Sequence, residues 1–311
     1  MANTDLQNTG ASDIPNAPNP FVQTLKMLWR DKFAFISVVF LLAILFCAVF
    51  GPLLLEDIAT KQNLRGRNAP PFDFSRNWLF WLGGDALGRP LLARIIVAAQ
   101  NTIFVAAGAV FISLTIGSAL GLIAGFSSKL LSEVIMRLAD IIMSFPSLLL
   151  AVIVLFMLDS SVFNLVVVLA ITRIPIYLRT ARAETLEVRE RMFVQAARVM
   201  GASAPRIIFR HILPVVFPTL ITIATLDFAF VMLAESSLSF LGIGIQPPEI
   251  TWGLMVAQGR PYLTTAWWLS FWPGLAIILT TLSLNLVSHW LRTALDPAQR
   301  WRLENVRKKN G

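Results

Sequence analysis

FAFISVVFLLAILFCAVFGPLLL, residues 33–55, runs through 23 positions without a charge, and its reading decides the fold. A helix needs about 20 apolar residues to cross the hydrocarbon core of a bilayer. This run is too long for the apolar region of a signal peptide. The twenty residues before it (MANTDLQNTGASDIPNAPNP) are polar and lack a basic start, so the run is expected to remain as a membrane helix. Residues 95–128, 141–158 and 261–291 are uncharged in the same way. Over the whole chain 56% of residues are hydrophobic and 14% charged, with a mean hydropathy of +0.69. A soluble domain carries about a quarter charged residues. The sequence therefore predicts an all-α polytopic membrane protein.

Six spans are expected, at roughly 33–55, 101–126, 134–158, 161–178, 212–241 and 270–291. The run 95–128 exceeds one straight crossing, so its first residues (IIVAAQNTI) are expected along the interface. Arg173, near an end of the short fourth span, is expected to snorkel. Basic residues set the orientation. If the N-terminus is cytoplasmic, that side holds three Lys/Arg in 1–32, two in 126–137, seven in 179–210 and six in 292–311, which is 18 of the 26. Six lie in 56–94 and one, Arg260, in 242–269. Basic loops stay in the cytoplasm, so both termini are expected there. Trp267, Trp268 and Trp272 then form an aromatic belt on the outer side. The division that follows is a tail 1–32, a first helix 33–55, an extracytoplasmic segment 56–100, a core 101–291 with a cytoplasmic loop 179–211, and a basic tail 292–311. The net charge of +8 is mostly this topology signal, and no nucleic-acid partner is expected.

VQAARVMGASAPRIIFRHILP, residues 194–214, lies in that cytoplasmic loop and is basic and Ala-rich where most of the chain is apolar. Glu184 to Met200 reads as one helix, with Phe193, Ala197 and Met200 at helical spacing. Gly201 suits the left-handed residue that ends a helix. Ser203 can cap a second helix whose first turn accepts Pro205. The expected shape is an elbow leading into the fifth span, with Pro214 and Pro218 in its opening turns. Ala196, Ala197, Gly201 and Ala202 leave room for another backbone, and Arg198, Arg206 and Arg210 supply charge around the contact. The plainer alternative is an ordinary basic loop.

The same segment resembles the EAA signature of ABC importer permeases: Glu-Ala-Ala, three residues, Gly, nine residues, then Ile-x-Leu-Pro. Gln195, Ala196, Ala197, Gly201, Leu213 and Pro214 occupy its places, with Gln195 standing for Glu and His211 for Ile. LGGDALGRPLLARI (82–95) is similar to LGTDxxGRDxxSR of the dipeptide, oligopeptide and nickel permeases, with Pro90 in place of an acidic residue. ESSLSFLGIGIQPPEITWG (235–253) and LRTALDP (291–297) resemble the same branch, and Ser288 and His289 stand where Gly-Asp is common. The resemblance covers about 25–297 and points to the second, C-type permease.

It implies the type I importer permease fold and a coupling helix that docks on a cytoplasmic ATPase through Gln195, Ala196, Ala197, Gly201, Ala202 and Ser203. It also implies a second homologous permease, two ATPase subunits holding ATP and Mg, an extracytoplasmic binding protein that delivers peptides or similar small solutes, and the bacterial inner membrane as location. GIGIQPPEITWG is expected as an outer re-entrant or amphipathic piece, since Pro247-Pro248 bars continuous helix.

Ionisable residues inside a bilayer are costly and default to functional candidates. Asp227 and Glu235, eight residues apart on much the same helix face, are candidates for pathway or gating. The alternative is an interhelical hydrogen bond or an ion pair with the partner permease, and Glu235 is expected to be structural. Arg137 and Asp140 are expected to pair with each other. His211 and His289 are expected as interfacial polar residues, and no metal site is expected. Cys47, the single cysteine, excludes a disulfide framework within the chain. Gly117, Gly121 and Gly125 form a small-residue face for close helix packing.

The chain has no GxxxxGK[ST] phosphate loop, Ser-His-Asp arrangement or HExxH motif. It is expected to hydrolyse nothing and to carry no cofactor of its own. Two other classes stay open on the residues alone. An ion-gradient secondary transporter would show inverted repeats with broken helices, and a membrane-embedded enzyme would cluster His, Asp or Glu at one depth.

Overall fold

A computed structural model describes residues 27–158 and 161–295. The expected tails therefore lie largely outside the described residues. Ten α-helices are named here: α1 (Lys32–Thr60), α2 (Leu91–Phe126), α3 (Lys129–Met143), α4 (Ser147–Met157), α5 (Val162–Val188), α6 (Met192–Val199), α7 (Ala204–Ile207), α8 (Leu213–Phe240), α9 (Trp252–Gly259) and α10 (Trp268–Leu295). Among the described residues five segments are long and apolar enough to cross a membrane: α1, α2, α5, α7 continued into α8, and α10. They become six when the bent pair α3–α4 counts as one span.

That pair corrects the expected straight span 134–158. The two helices meet at 82°. Pro146 explains the break, because it donates no backbone N–H and disfavours helical geometry at Phe145. Ser144 closes α3, its hydroxyl donating to the carbonyl of Ile141 at 2.7 Å. With 15 and 11 residues, neither piece spans a bilayer alone.

The second span is also corrected. Residues 95–103 do not form a separate piece ahead of a turn; α2 is one unbroken helix of 36 residues, about 54 Å long. No proline or glycine interrupts its first four turns, and the 249–252 segment bonds to them. The Trp252 indole donates to the carbonyl of Ile95 at 2.9 Å, and the Trp252 amide donates to the Thr102 hydroxyl at 3.1 Å. Asn101 donates to Glu249 and to the carbonyl of Ile250. The segment around Pro247-Pro248 thus ends in α9, packed against α2 with Trp252 fully buried. Replacing Trp252 by Phe keeps most of the buried area and removes one donor. The expected cost is about 1–2 kcal/mol in a denaturation series.

The α2–α5 contact is the close one. A Cβ at Gly117 would stand 2.7 Å from the carbonyl oxygen of Ile174, and one at Gly125 2.6 Å from Cβ of Thr185. The glycine stripe therefore packs against α5 of the same chain, allowing the two backbones to touch. Helix α5 runs to Val188, ten residues past the expected end of the fourth span, since RTARAETLEV contains neither glycine nor proline. Helix α1 turns Phe33, Phe46, Leu53 and Leu54 outward, as a lipid-facing helix must.

Two further expectations change. Asp140 pairs with Arg179 of α5 at 2.5 Å, not with Arg137, because α3 lies along the end of α5 and brings that guanidinium closer. Trp268 does not join a belt. It is buried, donates to the carbonyl of Gly84 at 3.3 Å, and fixes the 82–90 loop to the start of α10, whereas Trp267 is exposed.

Candidate functional site

The loop between α5 and α8 folds in three steps. Helix α5 stops at Val188, so the expected single helix 184–200 is broken over residues 189–191. No proline or glycine causes this. The Arg189 guanidinium donates to the carbonyl of Gly125, at the end of α2, at 2.9 Å. The Gln195 amide then donates to the carbonyl of Arg189 at 3.2 Å, a bond that a carboxylate could not make. A tertiary contact thus overrides good local helix propensity.

Helix α6 follows and ends on Gly201, whose φ is +82°. The amide of Ala202 bonds the carbonyl of Ala197 and that of Gly201 the carbonyl of Arg198, at 3.1 and 3.0 Å. These are the two bonds of a Schellman ending, which needs a left-handed residue where glycine stands. Ser203 starts α7 through its backbone, its carbonyl accepting from Ile207 at 3.0 Å. The expected hydroxyl cap does not form. A π-helical turn, Ile208–Ile212, joins α7 to α8. Pro214 has no N–H for the carbonyl of Arg210, and the wider turn absorbs the mismatch.

The faces of α6 differ sharply. Val194 and Ala197 are buried and pin the elbow to the body. Met192, Val199 and Met200 are 88%, 89% and 81% exposed, an apolar edge pointing away from the protein. Ala196, Gly201 and Ser203 are exposed beside it, while Gln195 and Ala202 are half-buried. A Cβ on Gly201 would meet no atom within 4 Å. Of the expected apolar row, Ala197 faces inward while Phe193 and Met200 face outward. Arg198 lies 5.6 Å from the ring of Phe126, and Arg206 and Arg210 are exposed. The elbow thus offers a small, greasy, basic-rimmed projection.

Asp227 joins the two helices on either side of the elbow. Its carboxylate accepts from Nε of Arg173 at 2.6 Å, with Nη2 also in contact, and from the Tyr177 hydroxyl at 3.0 Å. Arg173 stacks 4.2 Å from the centroid of the Phe230 ring. Arg173 therefore turns inward and does not snorkel; a buried carboxylate offers more than the interface. Asp227 is 3% exposed and bonded within its own chain. Tyr177 was not singled out from the sequence, although its place one turn after Arg173 was the available signal.

Glu235 lies two turns further along α8, fully buried. It accepts from the Ser239 hydroxyl at 2.8 Å and from that of Ser236 at 3.3 Å. Among the described residues no cluster of His, Cys, Asp or Glu could hold a metal.

The family model for the binding-protein-dependent transport system inner membrane component matches residues 117–301, and that for the N-terminal TM domain of oligopeptide transport permease C matches 19–71. The di/tripeptide transport system permease protein DppC of Pseudomonas aeruginosa (strain UCBPP-PA14) is 39% identical over 299 residues, covering 94% of this chain and 97% of its own length. The probable D,D-dipeptide transport system permease protein DdpC of Escherichia coli (strain K12) is 37% identical over 293 residues, covering 92% and 97%. A chain from the inward-facing MetNI methionine ABC transporter superposes with a TM-score of 0.54 at 16% identity, covering 67% of this chain and 99% of that one. That last likeness is one of fold.

Proposed function

This chain belongs to the family of binding-protein-dependent transport system inner membrane components, and from that premise we propose that it forms half of a peptide pathway and is driven through α6. The exposed apolar edge Met192–Val199–Met200 carries the reading, because an isolated subunit gains nothing from showing three large apolar side chains on a short helix. A docked ATPase subunit covers them. ATP and Mg belong to two such subunits, and a second permease completes the pathway. A binding protein delivers the solute on the opposite face, where the 61–90 and 241–267 segments lie. The elbow and both termini face the cytoplasm of a bacterial inner membrane. Peptides are the favoured cargo, in line with the names of the relatives.

The geometry supplies a route for the stroke. Helix α6 is joined to α5 on one side and, through α7 and the π turn, to α8 on the other. The Arg173–Asp227–Tyr177 cluster clamps α5 to α8 about 20 Å along each helix from the end nearer the elbow. A push on α6 therefore moves the two helices as a unit instead of splaying them.

Co-purification tests this. Val199→Asp alters an exposed side chain and is expected to leave the chain folded and inserted. It places an unpaired charge in the docked contact, which costs several kcal/mol there. Native chain should bring down the ATPase subunits in mild detergent, and Val199→Asp should retain at most a tenth as much. Equal recovery would remove α6 from the interface. No ATPase with either chain, the partner permease being present, would favour a gradient-driven transporter.

A further inference from the structure

The 82–90 loop, the first turn of α2 and α9 line a cavity of about 240 Å³ at the end of α2 opposite the elbow. Its charged lining residues are Asp85, Arg89 and Arg94. Both Asp85 oxygens are engaged. One accepts the amides of Leu87 and Arg89 at 2.9 and 2.8 Å, the other the Arg89 guanidinium at 2.7 Å and that of Arg94. One carboxylate against two guanidiniums leaves a positive charge uncompensated. Arg94 is 4% exposed, yet its Nε has no hydrogen-bond partner. Its Nη2 reaches Oε1 of Gln258 only at 3.3 Å, which leaves the Gln258 amide nitrogen as a donor. Tyr262 lines the same space. A buried cation with an idle donor normally has an anion nearby.

The geometry points to a carboxylate-binding site, formed by Arg89, Arg94, Gln258 and Tyr262, for the acid group of a small solute. Guanidinium donors match a carboxylate edge to edge, and an amide and a phenol beside them can complete its hydrogen bonds. This rests on the proposed function, in which this end meets the arriving solute. For a peptide the group is its C-terminal carboxylate. Asp85 holds the two guanidiniums in place and does not itself contact the ligand.

The test uses the complete permease–ATPase assembly in nanodiscs, without binding protein, titrated with N-acetylalanine and with its neutral amide. Saturable binding is expected for the acid and not for the amide. Arg89→Gln should weaken it about tenfold, the value of one charge-assisted hydrogen bond. Should that change disturb the loop, Tyr262→Phe removes only a hydroxyl and should still weaken binding severalfold at an unchanged unfolding temperature. Acid and amide binding alike, no binding of either, or variants equal to native would each overturn the site. Peptide-free binding protein competing with N-acetylalanine would assign the cavity to a receptor side chain and overturn the solute assignment. None of these outcomes alters ATPase co-purification, so this site and the coupling role fail separately.

Discussion

Asp227→Ala is expected to destabilise the chain by about 3–5 kcal/mol in a denaturant series, among the largest single effects available to it. The substitution leaves the Arg173 guanidinium in a low-dielectric interior without its counter-charge, and Tyr177 without its acceptor. Removing both charges tests the cause. In Arg173→Met with Asp227→Leu no buried ion is orphaned, so most of the lost stability should return. The double variant also separates a clamp from a pathway group. As a clamp, the pair is replaceable by apolar contact and uptake persists. If stability returns while uptake stays abolished, the charges themselves act on the solute or on gating.

Gly121→Val is the second. A Cβ there would lie 2.5 Å from the carbonyl oxygen of Leu178 and 2.6 Å from Cβ of Ala181. Backbone cannot yield as a long side chain does, so α2 and α5 must separate along their contact. Overpacking costs about 1–3 kcal/mol where side chains can adjust, and the expected loss here is at or above the top of that range. Gly274→Ala in α10 is the matched control. Nothing lies within 4 Å of its Cβ position, so its effect should be near zero or slightly stabilising. Equal loss from both would contradict close α2–α5 packing.

Much of this architecture was legible because lipid imposes a coarse rule: apolar runs mark spans and small-residue faces mark contacts. The glycine stripe, the left-handed Gly201 and the elbow all follow from local chemistry. The break at Pro146 is equally local, but the apolar run around it continues unbroken and reads as one span. Other features depended on contacts distant in sequence. Arg189 reaches Gly125 and breaks the expected helix 184–200 after Val188; Arg179 takes Asp140 from Arg137. Trp268 is drawn into the protein by Gly84. Intramembrane charge identified Asp227 as important, but only the fold supplied Arg173 and Tyr177. The buried Asp85–Arg94 pair lies within a motif noted for its resemblance, and its cavity needed α9, some 160 residues later.

Cross-linking from the tip of α6 would decide the coupling role. Cys47 is the one cysteine in the chain, so Cys47→Ala with Met200→Cys places a single thiol on the outermost part of the elbow. A short bifunctional reagent in native membranes should join that residue to an ATPase subunit, with a yield that changes when ATP is bound. A thiol at the opposite end, as in Ser75→Cys, should give no such product. Cross-links from residue 75 to the ATPase, or none from residue 200 in an assembly that still takes up peptide, would contradict docking through α6.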